Sequence, residues 1–210
     1  MIKLFLADDR PVVLEGLKRI LAECADVSVV GHAANREEVL AKLRTTETDV
    51  LLLDLSVAGP GIFWLLRHLR RERARIRVLV LSVDGEGPEV ERVLGTGAAG
   101  YLTRDHSPSE LVAAVRTVVR GAEYVSSKLL QRLVTSRQAT SERPRYEALS
   151  DREYQVLCMF GAGRAFSAIA AELGVSRKTV STYRSRILKK LRLASNAGLI
   201  RYVLENQLRV

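Results

Sequence analysis

Cysteine, proline and aromatic residues are all scarce in this 210-residue chain, with two Cys, five Pro and only 5% Phe, Trp and Tyr. The thiols of Cys24 and Cys158 lie in helix-like apolar settings without metal-ligand spacing, so they read as buried free thiols of a reducing compartment. With five prolines and 14 glycines, collagenous and broadly disordered readings are excluded. The apolar runs are short, as in Asp49-Val-Leu-Leu-Leu and Val78-Leu-Val-Leu, far from the roughly 20 residues of a membrane-spanning helix. Met1-Ile-Lys-Leu-Phe-Leu-Ala-Asp-Asp turns acidic too soon for a secretory signal. The expected setting is the cytoplasm, with no membrane partner. No G-x-S-x-G, H-E-x-x-H or Walker sequence is present. His32, His68 and His106 have no partner at metal-binding or triad spacing and read as structural or surface residues.

What is abundant is positive charge, and it is unevenly placed. Residues 1–122 carry 17 basic and 17 acidic side chains, residues 123–146 carry 5 and 2, and residues 147–210 carry 11 and 5. A neutral first part and a basic last third are the asymmetry expected when one module binds a polyanion, although charge alone also fits a solvated basic surface.

The first 120 residues alternate β-rich runs (2–7, 27–33, 49–55, 76–83 and 99–103) with helical patterns at 36–44, 63–71, 89–95 and 108–120. Between the first two runs, Val13, Leu17, Ile20, Leu21 and Cys24 recur at helical spacing. Several runs are almost continuously apolar, as parallel strands covered on both faces must be. The pattern predicts an α/β fold: a five-stranded, doubly wound parallel sheet over 1–122. Residues 123–146 read as a linker, and 147–210 as an all-α, four-helix domain. In that domain Ser150-Asp-Arg-Glu153 is a capping box, Gly174 ends a short helix, and Ser176 caps a basic helix running to about Leu191. Helix, glycine-containing turn and basic helix together are the helix-turn-helix pattern.

Two constellations carry chemistry. Asp8 and Asp9 end the first strand and Asp54 the third, at the carboxyl edge where open parallel sheets bind ligands. Three converging carboxylates suit a hard cation such as Mg²⁺. Ser82 and Arg104 follow the fourth and fifth strands, so a hydroxyl and a cation share that edge. A carboxylate nucleophile beside a metal, opposite a cation, is what phosphoryl transfer to an aspartate needs. The plainer alternative is that strand-end Asp residues only cap the next helix. The second constellation is the acid-free stretch 176–192. Val180, Ile187, Leu188 and Leu191 form its core stripe. Lys178, Ser181, Thr182, Ser185 and Lys189 fall on the opposite side, suited to base edges of a major groove. Arg177, Arg184, Arg186 and Lys190 suit phosphates, and Thr179 belongs to the same surface. Gly95-Thr-Gly97-Ala-Ala-Gly100 matches a dinucleotide fingerprint by letter, but a helix precedes it and a strand follows, the reverse of what that motif requires.

On these residues the chain resembles two-component response regulators of the NarL/FixJ (LuxR-type) family. In 1–122 the resemblance rests on Asp8-Asp9, Asp54, Ser82, Tyr101 and the cation at Arg104. In 148–206 it rests on Leu149-Ser-Asp-Arg-Glu153, Ile169-Ala170 and the run from Ser176 to Leu191. The resemblance implies that Asp54 accepts a phosphoryl group from a sensor histidine kinase. It implies that Asp8, Asp9, Asp54 and the Ser56 backbone carbonyl hold Mg²⁺, and that Ser82 and Tyr101 form the switch pair. It also implies a homodimer on double-stranded promoter DNA, with Ala197, Ile200, Val203 and Leu204 on a dimerisation helix, a face that by periodicity alone could equally be core, and RNA polymerase as a further partner. The protein is then a transcription regulator rather than an enzyme. The chain departs from the family at Arg104, where lysine is usual, at Ala58 in place of proline, at Ile62 in place of glycine, and at Val83 in place of a small residue. A phosphorylation-independent regulator, its receiver serving for dimerisation or docking, stands as the alternative.

Overall fold

The computed structural model describes residues 1–57, 62–82, 87–103, 105–126, 129–130, 145–206 and 208. Arg104, Ala58 and Val83 lie outside the described residues. The chain divides into two compact units, Met1–Gln138 and Ala139–Val210.

The first unit is built on a parallel sheet of β1 (Ile2–Ala7), β2 (Val27–Ala33), β3 (Val50–Asp54), β4 (Arg77–Ser82), β5 (Gly100–Thr103) and β6 (Tyr124–Val125), in the order β2-β1-β3-β4-β5-β6. The sixth strand corrects the expected five: Tyr124 and Val125 pair in parallel with Gly100 and Tyr101. Between the strands run α1 (Pro11–Ala22), α2 (Arg36–Lys42), α3 (Ile62–Glu72), α4 (Gly87–Gly95) and α5 (Pro108–Val119). Pro11 opens α1, where its missing N–H would have no partner and its fixed φ suits the first turn. Asn35 and Ser107 cap α2 and α5 by accepting the N–H of Glu38 and Glu110.

Two faces must be covered because the strands are apolar on both. Leu4, Leu6, Leu52, Leu79, Leu81 and Leu102 pack with Leu14, Leu17 and Leu21 of α1 and Leu111, Val115 and Val118 of α5 in one cluster. Phe5, Leu51, Leu53, Val80 and Tyr101 alternate with those residues and, by the strand period of two, point to the other face. There α3 contributes Ile62, Phe63, Leu65, Leu66 and Leu69, all buried. The guanidinium of Arg92, on α4, stands 5.1 Å from the Phe63 ring centroid. Trp64, one position on, is 51% exposed. Its ring stacks on His68 at 4.9 Å, and Arg36 of α2 stands 6.0 Å from its centroid. The helix α4 ends at Gly95 and β5 begins at Gly100, and Gly97 between them, at φ 93°, turns the chain from helix to strand.

The second unit holds α6 (Asp151–Gly161), α7 (Phe166–Leu173), α8 (Arg177–Leu191) and α9 (Asn196–Glu205), preceded by a 3-10 turn at Arg145–Ala148. Ser150 and Glu153 form both halves of the capping box. Gly174 closes α7 at φ 62°, a left-handed conformation that glycine adopts without a Cβ penalty. Arg152 donates to the last carbonyl of α7, that of Leu173, at 2.7 Å. Tyr146 and Tyr154 pack edge to face with centroids 6.3 Å apart, as do Phe160 and Phe166 at 5.0 Å. Where α6 crosses α9, Gly161 lies so close to Val203 that a Cβ there would sit 2.3 Å from Val203 Cγ1.

Candidate functional site

Strand order reverses about β1: β2 lies on one side of it and β3 on the other. The crevice between the carboxyl ends of β1 and β3 is the switch point where such sheets bind ligands. Asp8 follows β1 and Asp54 ends β3, and they are only 2% and 3% exposed, whereas the Asp9 side chain is 48% exposed. One carboxylate oxygen from each of the three lies within 4.8 Å of the others. Ser56, in the 3-10 turn after β3, ties the cluster together: its hydroxyl donates to Asp9 Oδ1 at 2.7 Å and is also hydrogen-bonded to Asp54 Oδ1, while its N–H donates to Asp54 Oδ1 at 3.0 Å. The Asp8 carboxylate likewise accepts the Arg10 N–H at 2.9 Å. The capping alternative is thus met in part, because Asp8 and Asp54 do satisfy local N–H groups. Capping leaves unexplained why three carboxylates converge.

Burial pushes the Asp54 carboxyl above the ordinary aspartate range. The Ser56 hydroxyl and N–H pull the other way, the Asp8 charge adds to the rise, and Arg10 opposes it without cancelling it. A carboxyl must be ionised to act as a nucleophile or a metal ligand, and a cation in this crevice would favour the ionised form of Asp54. Convergent hard oxygen donors, two buried and one facing water, fit a divalent ion that keeps part of its hydration shell. Ser82 ends β4 opposite Thr103 of β5 and is 7% exposed, and Tyr101 of β5 is wholly buried. Arg10 is a site residue that sequence reasoning missed. Its Nε and a terminal nitrogen reach the two oxygens of Asp8 at 3.1 and 3.0 Å, with Asp9 at 3.8 Å and Asp54 at 3.9 Å.

The second site is α8. Ser176 caps it by accepting the Thr179 N–H at 3.1 Å. Val180, Ile187 and Leu191 are fully buried, while Leu188, placed on the core stripe by periodicity, is half-buried. Arg177, Lys178, Ser181, Thr182, Ser185, Arg186 and Lys189 are exposed, and Thr179 is half-buried. The hydroxyls of Thr182 and Ser185 bond back to the carbonyls of Lys178 and Ser181 at 3.0 and 3.1 Å, so their oxygen lone pairs face outward. Two basic residues are engaged within the unit. Arg184 is hydrogen-bonded to Asn196 of α9, and Lys190 reaches the buried Glu153 at 2.6 Å. Burial alone would raise the Glu153 pKa, but Lys190 and the Ser150 N–H and hydroxyl together hold it below the ordinary range. A carboxyl with a lowered folded pKa contributes stability that is complete above the unfolded value, about 4.3 for Glu, and is lost as pH falls through the folded one. Glu153→Gln should therefore cost about 2 kcal/mol at neutral pH, the scale of hydrogen bonds to a charged group. The deficit should close in acid as the wild-type carboxyl protonates, and thermal unfolding followed by circular dichroism at pH 7 and pH 3 checks it.

Among the described residues no helix is long and apolar enough to cross a membrane. Neither cysteine is in a disulfide; Cys158 is buried and Cys24 half-buried. None of the three histidines belongs to the carboxylate cluster.

Residues 4–116 match the response regulator receiver domain family, and residues 147–203 match the bacterial regulatory proteins of the luxR family. The response regulator UvrY of Escherichia coli K12 is 35% identical over 201 residues, spanning 95% of this chain and 92% of that protein. GacA of Pseudomonas protegens is 38% identical over 200 residues, spanning 95% and 93%. Among solved structures, RcsB from Salmonella enterica serovar Typhimurium bound to promoter rprA in the presence of phosphomimetic BeF3- shares the fold, with a TM-score of 0.73 at 24% identity over 97% of this chain and 98% of that one. The receiver-type acidic crevice, the exposed helix-turn-helix and relatives aligned over nearly the full length agree, and the chain belongs to the two-component response regulators that join a receiver domain to a LuxR-family DNA-binding domain.

Proposed function

We propose that this response regulator accepts a phosphoryl group on Asp54 from a sensor histidine kinase, with Mg²⁺ held by Asp8, Asp9, Asp54 and the Ser56 carbonyl. The observation that carries this reading is the convergence of the three carboxylates at the switch point of the sheet. Mg²⁺ would supply charge neutralisation between the incoming phosphoryl oxygens and the carboxylates. The chain's own residues do the rest: Asp54 attacks, Ser56 fixes its orientation, and Ser82 and Tyr101 register the new charge. In the sequence, Arg104 stands where the family usually has its lysine. The only chemistry is on the protein's own side chain, so it is a regulator and no enzyme in the usual sense. The proposed division is a receiver at 1–122, a linker at 123–146 and a DNA-binding domain at 147–210, in a cytoplasmic protein without a membrane partner.

The second unit binds double-stranded promoter DNA as a homodimer, where RNA polymerase is a further partner. The RcsB structure named above is a complex with a promoter. Lys178, Ser181, Thr182, Ser185 and Lys189, with Thr179 beside them, face the bases. Arg177 and Arg186 take phosphates, with Arg184 and Lys190 flanking them from their positions on Asn196 and Glu153. On α9, Ile200 and Leu204 are 38% and 68% exposed, an apolar pair for the twin helix. With about four to six phosphates contacted per dimer, affinity should fall roughly a hundred- to thousandfold between about 50 and 200 mM salt. Arg186→Ala should weaken specific and random DNA alike, whereas Thr182→Ala or Ser185→Ala should mainly lower the specificity ratio. Fluorescence anisotropy with a promoter fragment and a scrambled one checks the division. It is wrong if all three variants lose both affinities equally.

A further inference from the structure

We propose that Arg10 is a built-in counterion of the Asp8–Asp9–Asp54 cluster that competes with the divalent cation, so that metal entry requires its guanidinium to leave the carboxylates. The inference rests on the metal reading given above and adds a residue that sets the metal affinity of that site.

The geometry is one of shared lone pairs. Arg10 grips Asp8 with both arms of its fork, Nε to Oδ1 at 3.1 Å and a terminal nitrogen to Oδ2 at 3.0 Å. Asp8 Oδ1 also accepts the Arg10 backbone N–H at 2.9 Å. The same terminal nitrogen stands 3.9 Å from Asp54 Oδ2, and Nε stands 3.8 Å from Asp9 Oδ1. One guanidinium thus faces every carboxylate of the cluster. A carboxylate offers about four lone-pair directions, and Mg²⁺ demands near-octahedral approach at roughly 2.0–2.1 Å. The Arg10 side chain and backbone N–H together take three of those directions on Asp8, so a divalent ion must compete with the guanidinium for this carboxylate, and the two positive charges repel each other in a crevice whose walls are buried.

Local structure gives Arg10 no other reason to be there. It is the N-cap residue of α1, where a positive charge opposes the helix dipole, and its side chain caps no N–H. Its stabilisation comes from the cluster, whose two buried members are 2% and 3% exposed. Its own side chain is 42% exposed, so the guanidinium has water to retreat into when a metal arrives.

The test is Mg²⁺ and Mn²⁺ binding to the full-length protein by calorimetry, with thermal unfolding as a second readout. Arg10→Ala should bind either ion roughly tenfold more tightly, the effect of removing one opposite charge in contact with a carboxylate. Arg10→Lys, whose point charge cannot span both oxygens, should fall between the two. Without metal, Arg10→Ala should melt below the wild type, and saturating Mg²⁺ should close that gap. Arg10→Gln carries the same comparison if the alanine variant does not fold. Equal or weaker binding by the neutral variants, with the wild type binding metal, overturns the role of Arg10 and leaves the metal site standing. If neither wild type nor variants bind either ion at millimolar concentration, the metal reading fails and this inference fails with it.

Discussion

Asp54→Asn should take up no phosphoryl group from a small phosphodonor in the presence of Mg²⁺, a fall of at least about a hundredfold in labelled protein, the scale expected when a nucleophile is removed. The amide keeps the shape of the side chain and can still accept the Ser56 N–H that now bonds Asp54 Oδ1. What it lacks is the anionic oxygen that forms the acyl phosphate. Intact-protein mass spectrometry reads the outcome directly. The same variant should melt higher than the wild type in metal-free buffer at neutral pH. Burial raises the Asp54 pKa, so the folded state favours the protonated acid. That preference is fully present below the ordinary Asp value of about 3.9 and is lost as pH rises through the folded pKa, where the buried charge must be tolerated. Asparagine carries no such charge, and its advantage should vanish in acid. If a phosphodonor raised DNA affinity as much in Asp54→Asn as in the wild type, Asp54 would not be the acceptor. If it raised affinity in neither, the phosphorylation-independent alternative would be the better account.

The second large effect is expected from a single methyl group. Gly161→Ala places a Cβ 2.3, 2.7 and 2.9 Å from the Cγ1, Cβ and Cγ2 of Val203. Val203 is β-branched and helical, so its χ1 is confined to one rotamer, and it is 5% exposed with nowhere to turn. The strain must go into separating α6 from α9. Overpacking of this kind costs about 1–3 kcal/mol, which outweighs the roughly 1 kcal/mol that alanine gains over glycine in a helix. A unit of this size is stable by only about 3–10 kcal/mol, and each 1 kcal/mol moves its melting temperature by about 4–8 °C. A drop of roughly 10 °C in the melting of the C-terminal unit is therefore expected. Binding to promoter DNA should weaken as well, because α9 carries Ile200 and Leu204, the proposed dimer contacts. Adding Val203→Ala removes two of the three close atoms, so the double variant should recover part of the loss. An unchanged melting temperature in Gly161→Ala would mean that α9 yields without cost.

Local signals were readable in proportion to their length. The spans of β1 and β2 and the capping box at Ser150 were legible because apolar runs and cap residues fix them within a few positions. The strand β6 was not, since two residues, Tyr124 and Val125, are too few to show alternation. Side chains committed over long separations were harder still. Lys190 reads as a phosphate ligand on an acid-free helix, and its partner Glu153 arrives from another helix 37 residues away. Arg10 adjoins Asp8 and Asp9 in sequence, yet its approach to Asp54 depends on β1 and β3 lying side by side. The three carboxylates were legible because strand ends in a parallel sheet meet at one edge, whatever the loops between them do.

The lone tryptophan has an experimental consequence. Trp64 sits on α3 of the first unit, half exposed against the imidazole of His68, and no tryptophan lies in the second unit. Emission excited at the red edge of protein absorbance is therefore a signal from the receiver alone. Circular dichroism at the helical bands sums both units. Recorded together through a denaturant titration, the two signals would separate if the units unfold independently and coincide if they unfold as one. The protein thus carries its own reporter of whether events in the receiver are felt by the module that reads DNA.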